Sequence, residues 1–342
     1  MDTSTMILEL SQATGIVGME AGAVRTAEKM LEGCGDCSVS ALGSLICRVK
    51  TAPADKPHIM LTAHIDEIGL VVTYIDEKGF LRVSGCGGID LGIILAAQVL
   101  VHTKQGDLPG VVCTVPPHLQ PDDTKLPKVE DICIDVGLSQ EQAKQKIALG
   151  DRVSFVNKAG RMLNGQVSGK AIDDRGGCAS VILAARELAK CDLDCSLTVM
   201  LSTLEEIGSQ GAKTAAEEIM PTHAIVVDVA FGHTPDAPRH QCGELGKGAM
   251  IGVAPVLDND MSRQLVETAK KHKIPYQMDV QGGRTGTDSD EVAVCGAGVR
   301  TALVSIPQKF MHTPIETVMV SDVEAVGKLM ALYIKDIFGG ER

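Results

Sequence analysis

Tryptophan is absent, and 3 tyrosines with 5 phenylalanines leave aromatics at 2% of 342 residues. Almost nothing is available to stack on a sugar ring, which argues against a carbohydrate-processing site. Cations are outnumbered: 32 Lys and Arg stand against 44 Asp and Glu, for a net charge of −12. Phosphate binding needs clustered Lys and Arg, so nucleic acid and an anionic membrane are not expected partners. Long apolar runs are missing as well. The most apolar internal stretch, Leu91 to Val101, is too short for a bilayer and contains Gln98. The opening MDTSTMILELSQ has neither a basic segment nor a long apolar one, so the expected compartment is the cytoplasm. A single Cys-x-x-Cys, Cys34 to Cys37, lacks a second pair, and the 11 cysteines are odd in number and scattered. They read as reduced thiols packed as small hydrophobes.

What is present is an aliphatic chain, 44% hydrophobic, with length enough for two folding units. Its organising stretch is SLTVMLSTLEEIG, Ser196 to Gly208. Leu197 to Leu204 reads as a buried strand that ends where Gly208 turns the chain away. Extended backbone alternates its side chains, so Glu205 and Glu206 are expected to point in different directions from one place. Two acids at the rim of a core disfavour each other's ionisation. That points to a cation or a proton-transfer role, the plainer reading being a solvated acidic turn.

Earlier in the chain, Thr3 to Gln12 and Glu20 to Leu31 show helical periodicity, and Ser44 to Lys50 and His58 to Ala63 read as strands. The second strand runs into His64-Ile65-Asp66-Glu67, where His64 and Asp66 share a face and can form an imidazole with an orienting carboxylate. From Gly69 the texture becomes short alternating strands broken by glycine. They are interrupted by the polar loop PPHLQPDDTKLPKVED and by one helix opened with the capping box Ser139-x-x-Gln142. His118 in that loop reads as an exposed residue. The expected division is a β-rich insert over residues 68–164, set into a domain made of 1–67 and 165–342.

After the insert, AIDDRGG leads into a helix with Val181, Ile182, Ala185, Leu188 and Ala189 on one stripe. Capping accounts for one Asp at its start, and does not require both Asp173 and Asp174 followed by Arg175. The strand Ala224 to Val229 brings Asp228 near its end. A helix over Ser262 to Lys271, the glycine-rich GGRTGTDSDEV and the strand Thr301 to Ile306 follow, with His312 a short loop beyond. The last helix is expected to start at the capping box Ser321-x-x-Glu324 and to pack Val323, Val326, Met330, Tyr333 and Ile337. Strands alternating with helices predict an α/β fold, a mostly parallel sheet flanked by helices, whose site lies beyond the strands' C-terminal ends.

His64, Glu206 and Asp228 fit that placement, His312 follows its strand by a short loop at the sheet's rim, and Asp173 stands at a helix start. Mixed nitrogen and oxygen donors suit zinc, cobalt or manganese, and a bridging carboxylate with two terminal ligands per ion would build a two-metal site.

HIDE, AIDDRGG, LEEIG, the VVD strand end and SIPQKFMHTPIE, in this order and spacing, resemble the M42 family of metallo-aminopeptidases, the FrvX-like or tetrahedral glutamyl aminopeptidase group. The resemblance covers essentially the whole chain. It implies two divalent metal ions per subunit, bridged by Asp173, with Glu206 and His312 completing one site and His64 and Asp228 the other. It implies Glu205 as the general base acting on water and Asp66 as the residue that orients His64. It further implies short peptides as substrates and a homo-oligomer built from dimers through the insert, up to a tetrahedral dodecamer. Asp290 and Glu291 depart from the small or apolar residues usual in their loop, and their charge is expected to disfavour acidic N-terminal residues.

Rival readings use the same residues differently. A two-metal N-deacylase or carboxypeptidase would need a base such as Arg175 or Arg284 for a substrate carboxylate. A glycosidase could employ Glu205 and Glu206 but leaves His64, Asp228 and His312 idle. A non-catalytic protein with metal-linked folding would have no use for Glu205.

Overall fold

The strand His58–His64 is buried from its second residue onward, and the sheet grows outward from it. In this computed structural model, which describes residues 1–119 and 128–340, it pairs in parallel with Ser196–Ser202 on one side and His223–Phe231 on the other. His223–Phe231 pairs in parallel with Arg300–Lys309. Antiparallel strands extend both edges: Leu45–Lys50 and Asp36–Val39 at one end, Glu316–Met319, Gln166–Gly169 and Gly160–Arg161 at the other. Ala249–Val253 and Tyr276–Val280 attach at Arg300–Lys309 and complete 11 strands.

The period-two alternation of the buried strands sorts their side chains between two helical layers. Leu45, Cys47, Ile59, Leu61 and Ala63 share a core with the helices Thr3–Gln12, Ala21–Met30, Ile172–Leu188 and Val320–Phe338. Ile46, Met60 and Met200 face the opposite way, onto Ala212, Ala215 and Ala216 of Gln210–Ile219.

The insert closes into a barrel, in the order Gly69–Ile75, Leu81–Cys86, Cys133–Asp135, Gly106–Val112, Gln98–Thr103 and Arg152–Phe155. Leu70, Val72, Leu81, Val83, Val99, Val101 and Val153 give it a core of its own. Its helix Gln140–Lys146 carries the capping box, Ser139 Oγ accepting from Gln142 N at 3.4 Å and Gln142 Oε1 from Ser139 N at 3.1 Å. A short second helix, Leu91–Ile94, takes up part of the apolar run. The proline-rich loop lies partly outside the described residues, at 120–127.

Local differences from the sequence reading have physical causes. The strand before the paired glutamates stops at Ser202, Leu204 turns left-handed (φ 62°), and Glu205–Ile207 is a 3-10 turn rather than extended chain. The last helix begins at Val320, directly out of the strand Glu316–Met319, without a side-chain cap, and Ile337 is 44% exposed. Asp322 in its first turn accepts instead from Gly246 N and Gly248 N. The helix expected from Ser262 starts at Asn259, capped by Asp258.

Candidate metal centre

The parallel strands deliver their polar ends to one edge. His64 ends its strand opposite Ser202, and Asp228 lies opposite Ser305. Asp173 enters from the other side, where Ala171 (φ 54°) turns the chain into the helix Ile172–Leu188, and the Asp173–Asp174 peptide is cis. His312 itself has φ 59°, and Ser209 φ 63°. Left-handed backbone at non-glycine residues costs about 1–3 kcal/mol each, and Ser209 and His312, both lining the cavity, adopt it.

His64 Nε2 stands 3.0 Å from Asp173 Oδ1, while His312 Nε2 is 3.4 Å from Asp173 Oδ2 and 3.5 Å from Glu206 Oε2. Two groups of donor atoms result, His64, Asp173 and Asp228 in one and Asp173, Glu206 and His312 in the other, the atoms of each lying within 4.8 Å of one another. Asp173 belongs to both. Glu205 belongs to neither, yet lines the same cavity of about 650 Å³.

Asp66 is completely buried and uses its oxygens on the turn, accepting from Glu205 N at 3.1 Å and Glu206 N at 3.2 Å. Its distance to His64 Nδ1, 3.6 Å, exceeds a hydrogen bond, so it acts on the imidazole by charge. Glu316 does similar work opposite, accepting from Asp173 N and His312 N at 2.9 Å each.

The electrostatics are those of crowded carboxylates. Burial first, and then Asp288, Glu206 and Asp173 nearby, push the Glu205 carboxyl up to about 8 against the influence of His64. Burial and Asp173 lift Glu206 to about 7, and burial drives Asp228 well upward. Asp173 moves the other way: burial opposes its charge, but the imidazoles of His312 and His64 outweigh it. His312 is correspondingly raised to about 9 by its bond to Asp173.

Among the described residues, His64 and His312 are the only bases paired with the Asp173 and Glu206 side chains. Asp174 Oδ2 and Asp288 Oδ1 are buried without a partner. A donor set of this composition, with too little positive charge of its own, fits divalent cations.

Residues that the rival readings need are committed elsewhere. Arg175 is fully buried and donates to Ile65 O, Leu10 O and Ala13 O. Arg284 pairs with Asp290 at 3.4 Å and Glu291 at 3.0 Å, and Glu291 also meets Lys213. Asp290 accepts from Thr285 N and Gly286 N, so its charge serves the loop's own fold. His118 is exposed in a 3-10 turn and does not line the cavity. Sequence reasoning gave Asp174 and Asp288 no role and did not single out Glu316. Asp174 and Asp288 lie inside stretches already marked as unusual, whereas a buried acid that binds backbone N–H groups, as Glu316 does, has no sequence pattern.

The family model described as M42 glutamyl aminopeptidase matches residues 43–329, which includes the barrel and all of the large sheet except the edge strand Asp36–Val39. The chain belongs to the M42 glutamyl aminopeptidase family. Members are metal-dependent peptide hydrolases, so this M42 chain is an aminopeptidase. It is 30% identical over 339 residues to the lysyl aminopeptidase of Pyrococcus furiosus, covering 97% of this chain and 96% of that one. Among solved structures, aminopeptidase APDkam598 of Desulfurococcus kamchatkensis superposes with a TM-score of 0.91 at 29% identity, covering 98% of this chain and 95% of that one. The TET1 peptidase of Pyrococcus horikoshii, described as assembling into a tetrahedron or a large octahedral shell, superposes with a TM-score of 0.85 at 30% identity. That similarity covers 97% of this M42 chain and 98% of TET1.

Proposed function

We propose that this chain releases N-terminal residues from short peptides with two divalent metal ions per subunit. The observation that carries the reading is the pair of donor sets sharing Asp173, with Glu205 in the same cavity and outside both sets. His64, Asp228 and Asp173 would hold one ion, and Glu206, His312 and Asp173 the other. The mixed donors favour zinc or cobalt and also accommodate manganese. When bound, such ions polarise the scissile carbonyl and lower the pKa of water.

Glu205 is the general base. Its carboxylate accepts the proton of the attacking water as the new C–O bond forms, then returns it to the amine nitrogen as the C–N bond breaks. Asp66 is a positioning residue: it anchors the backbone of Glu205 and Glu206 and places negative charge beside His64.

The barrel is the proposed dimerisation unit, with dimers assembling into a larger particle, up to a tetrahedral dodecamer. Its independent core and the assemblies described for the Pyrococcus horikoshii relative support this. The proposed compartment is the cytoplasm. All 11 cysteines are free thiols, and among the described residues no helix is long and apolar enough to cross a membrane.

The test is a mass-spectrometric time course on one peptide mixed with its N-acetylated copy, with cobalt supplied. Stepwise loss from the free N-terminus, sparing the acetylated peptide and stopping with chelator, is expected. Removal of the acetyl group or trimming from the C-terminus would overturn the reading in favour of a deacylase or carboxypeptidase.

A further inference from the structure

Beyond the donor sets, the same cavity is walled by the edge strand Tyr276–Val280 and the loop after it. Alternation along this strand puts Asp279 and Gln281 on the cavity side, while Val280 between them is 73% exposed. The acids of the neighbouring loop are matched: Asp290 and Glu291 share Arg284, and Glu291 also has Lys213. Asp279 is not matched. Its recorded hydrogen bond comes from the neutral Gln281 amide, at 2.9 Å, and it has no ion-pair partner among the described residues. It is therefore a half-buried carboxylate facing the space a substrate enters, while the cation that lines the same cavity, Arg284, is engaged by Asp290 and Glu291.

We propose that Asp279 is a specificity-determining residue that selects peptides with a basic N-terminal residue, lysine or arginine. This rests on the aminopeptidase reading, which sets the scissile carbonyl at the donor sets and sends the first side chain into the rest of the cavity. An ammonium or guanidinium meeting Asp279 gains attraction in a medium of lower dielectric than water, and a carboxylate there is repelled. The Gln281 amide holds the carboxylate in place for that contact. The negative charge that disfavours acidic residues thus resides at Asp279 rather than at Asp290 or Glu291, whose charges are already compensated.

The experiment uses the cobalt-loaded protein and matched peptides Xaa-Ala-Ala-Ala and Ala-Xaa-Ala-Ala, with Lys, Arg, Leu or Glu as Xaa. The expected order of kcat/KM at the first position is Lys and Arg above Leu, with Glu lowest, and no such order at the second. In Asp279→Asn the Lys-to-Leu ratio is expected to fall about tenfold. Because the readout is a ratio, a loss common to both substrates cancels. Asp279→Glu, which keeps the charge, is expected to retain most of the preference. Leu or Glu preferred over Lys, a lysine preference confined to the second position, or an unchanged ratio in Asp279→Asn would overturn the assignment while leaving the aminopeptidase reading intact. Hydrolysis of none of the peptides would overturn both.

Discussion

Lys170 Nζ lies 2.7 Å from Glu67 Oε2, although the whole barrel separates the two residues in the chain. The pair is nearly sealed, with 11% and 4% of the side chains exposed, and Glu67 also accepts from Gly15 N at 3.0 Å. It closes the neck through which the chain leaves the large sheet and returns. Lys170→Met removes one partner of a buried ion pair and is expected to destabilise the fold by about 3–5 kcal/mol in chemical denaturation. The double variant with Glu67→Gln is expected to recover none of that loss, because the fully buried Arg175, 3.8 Å from Glu67, then loses its own carboxylate partner.

The barrel also touches the metal centre. A Cβ at Gly88 would sit 2.9 Å from His312 Nδ1, and one at Gly87 would sit 3.1 Å from Glu206 Oε2. Gly88→Ala is expected to displace His312 and to weaken metal binding at the set it shares with Asp173 and Glu206 by about tenfold. The set containing His64 and Asp228 should be spared. Metal titration followed by calorimetry should then resolve a strong step and a weakened one, with unchanged circular dichroism.

Glu205→Gln tests the division of labour in the cavity. The side chain lies outside both donor sets, so the variant is expected to bind the same metal complement by elemental analysis. Turnover should fall by about 100- to 10,000-fold, the range for losing a general acid–base group. Near-native turnover would assign the proton transfer to another residue.

Asp258 gives a pH-dependent prediction away from the site. It caps the helix Asn259–His272 by accepting from Asp260 N and Met261 N, and it pairs with Arg300. The Arg300 hydrogen bond first, and then the helix N–H groups, outweigh burial and hold its carboxyl below the ordinary value. A carboxyl with a depressed folded pKa stabilises the fold above its unfolded pKa of about 3.9, and that contribution disappears as the pH falls through the folded value. Asp258→Ala should therefore cost about 1–2 kcal/mol near neutral pH. In urea denaturation across a pH series, the gap to the unaltered protein should close below about pH 4.

Much of this architecture was readable in the chain because hydrophobic periodicity and the parallel-sheet rule act together. The apolar runs ending at His64 and around Asp228 had to be buried strands, and a parallel sheet gathers such ends at one edge. The path of the chain between elements was less legible. Glu205 and Glu206 were expected on extended backbone, but Leu204 bends the chain left-handed and sets both on a turn anchored by Asp66. Local signals also lost to tertiary ones. Ser321 and Glu324 spell a cap that does not form, because the helix follows a strand without a break and Asp322 serves a distant loop. Asp279 shows the same limit, since nothing in its sequence neighbourhood distinguishes a wall of a cavity from an ordinary edge strand.

Asp66 and Glu316 both grip their neighbours by the main chain, Asp66 at Glu205 and Glu206 and Glu316 at Asp173 and His312. The centre is thereby divided into a chassis and its fittings. Main-chain amides are the same whatever side chain a residue carries, so the chassis persists when a fitting is exchanged. On the proposed metal assignment, exchanging the donor side chains at positions 206 and 312 for softer or harder ones is expected to leave in place the main-chain scaffold that spaces them.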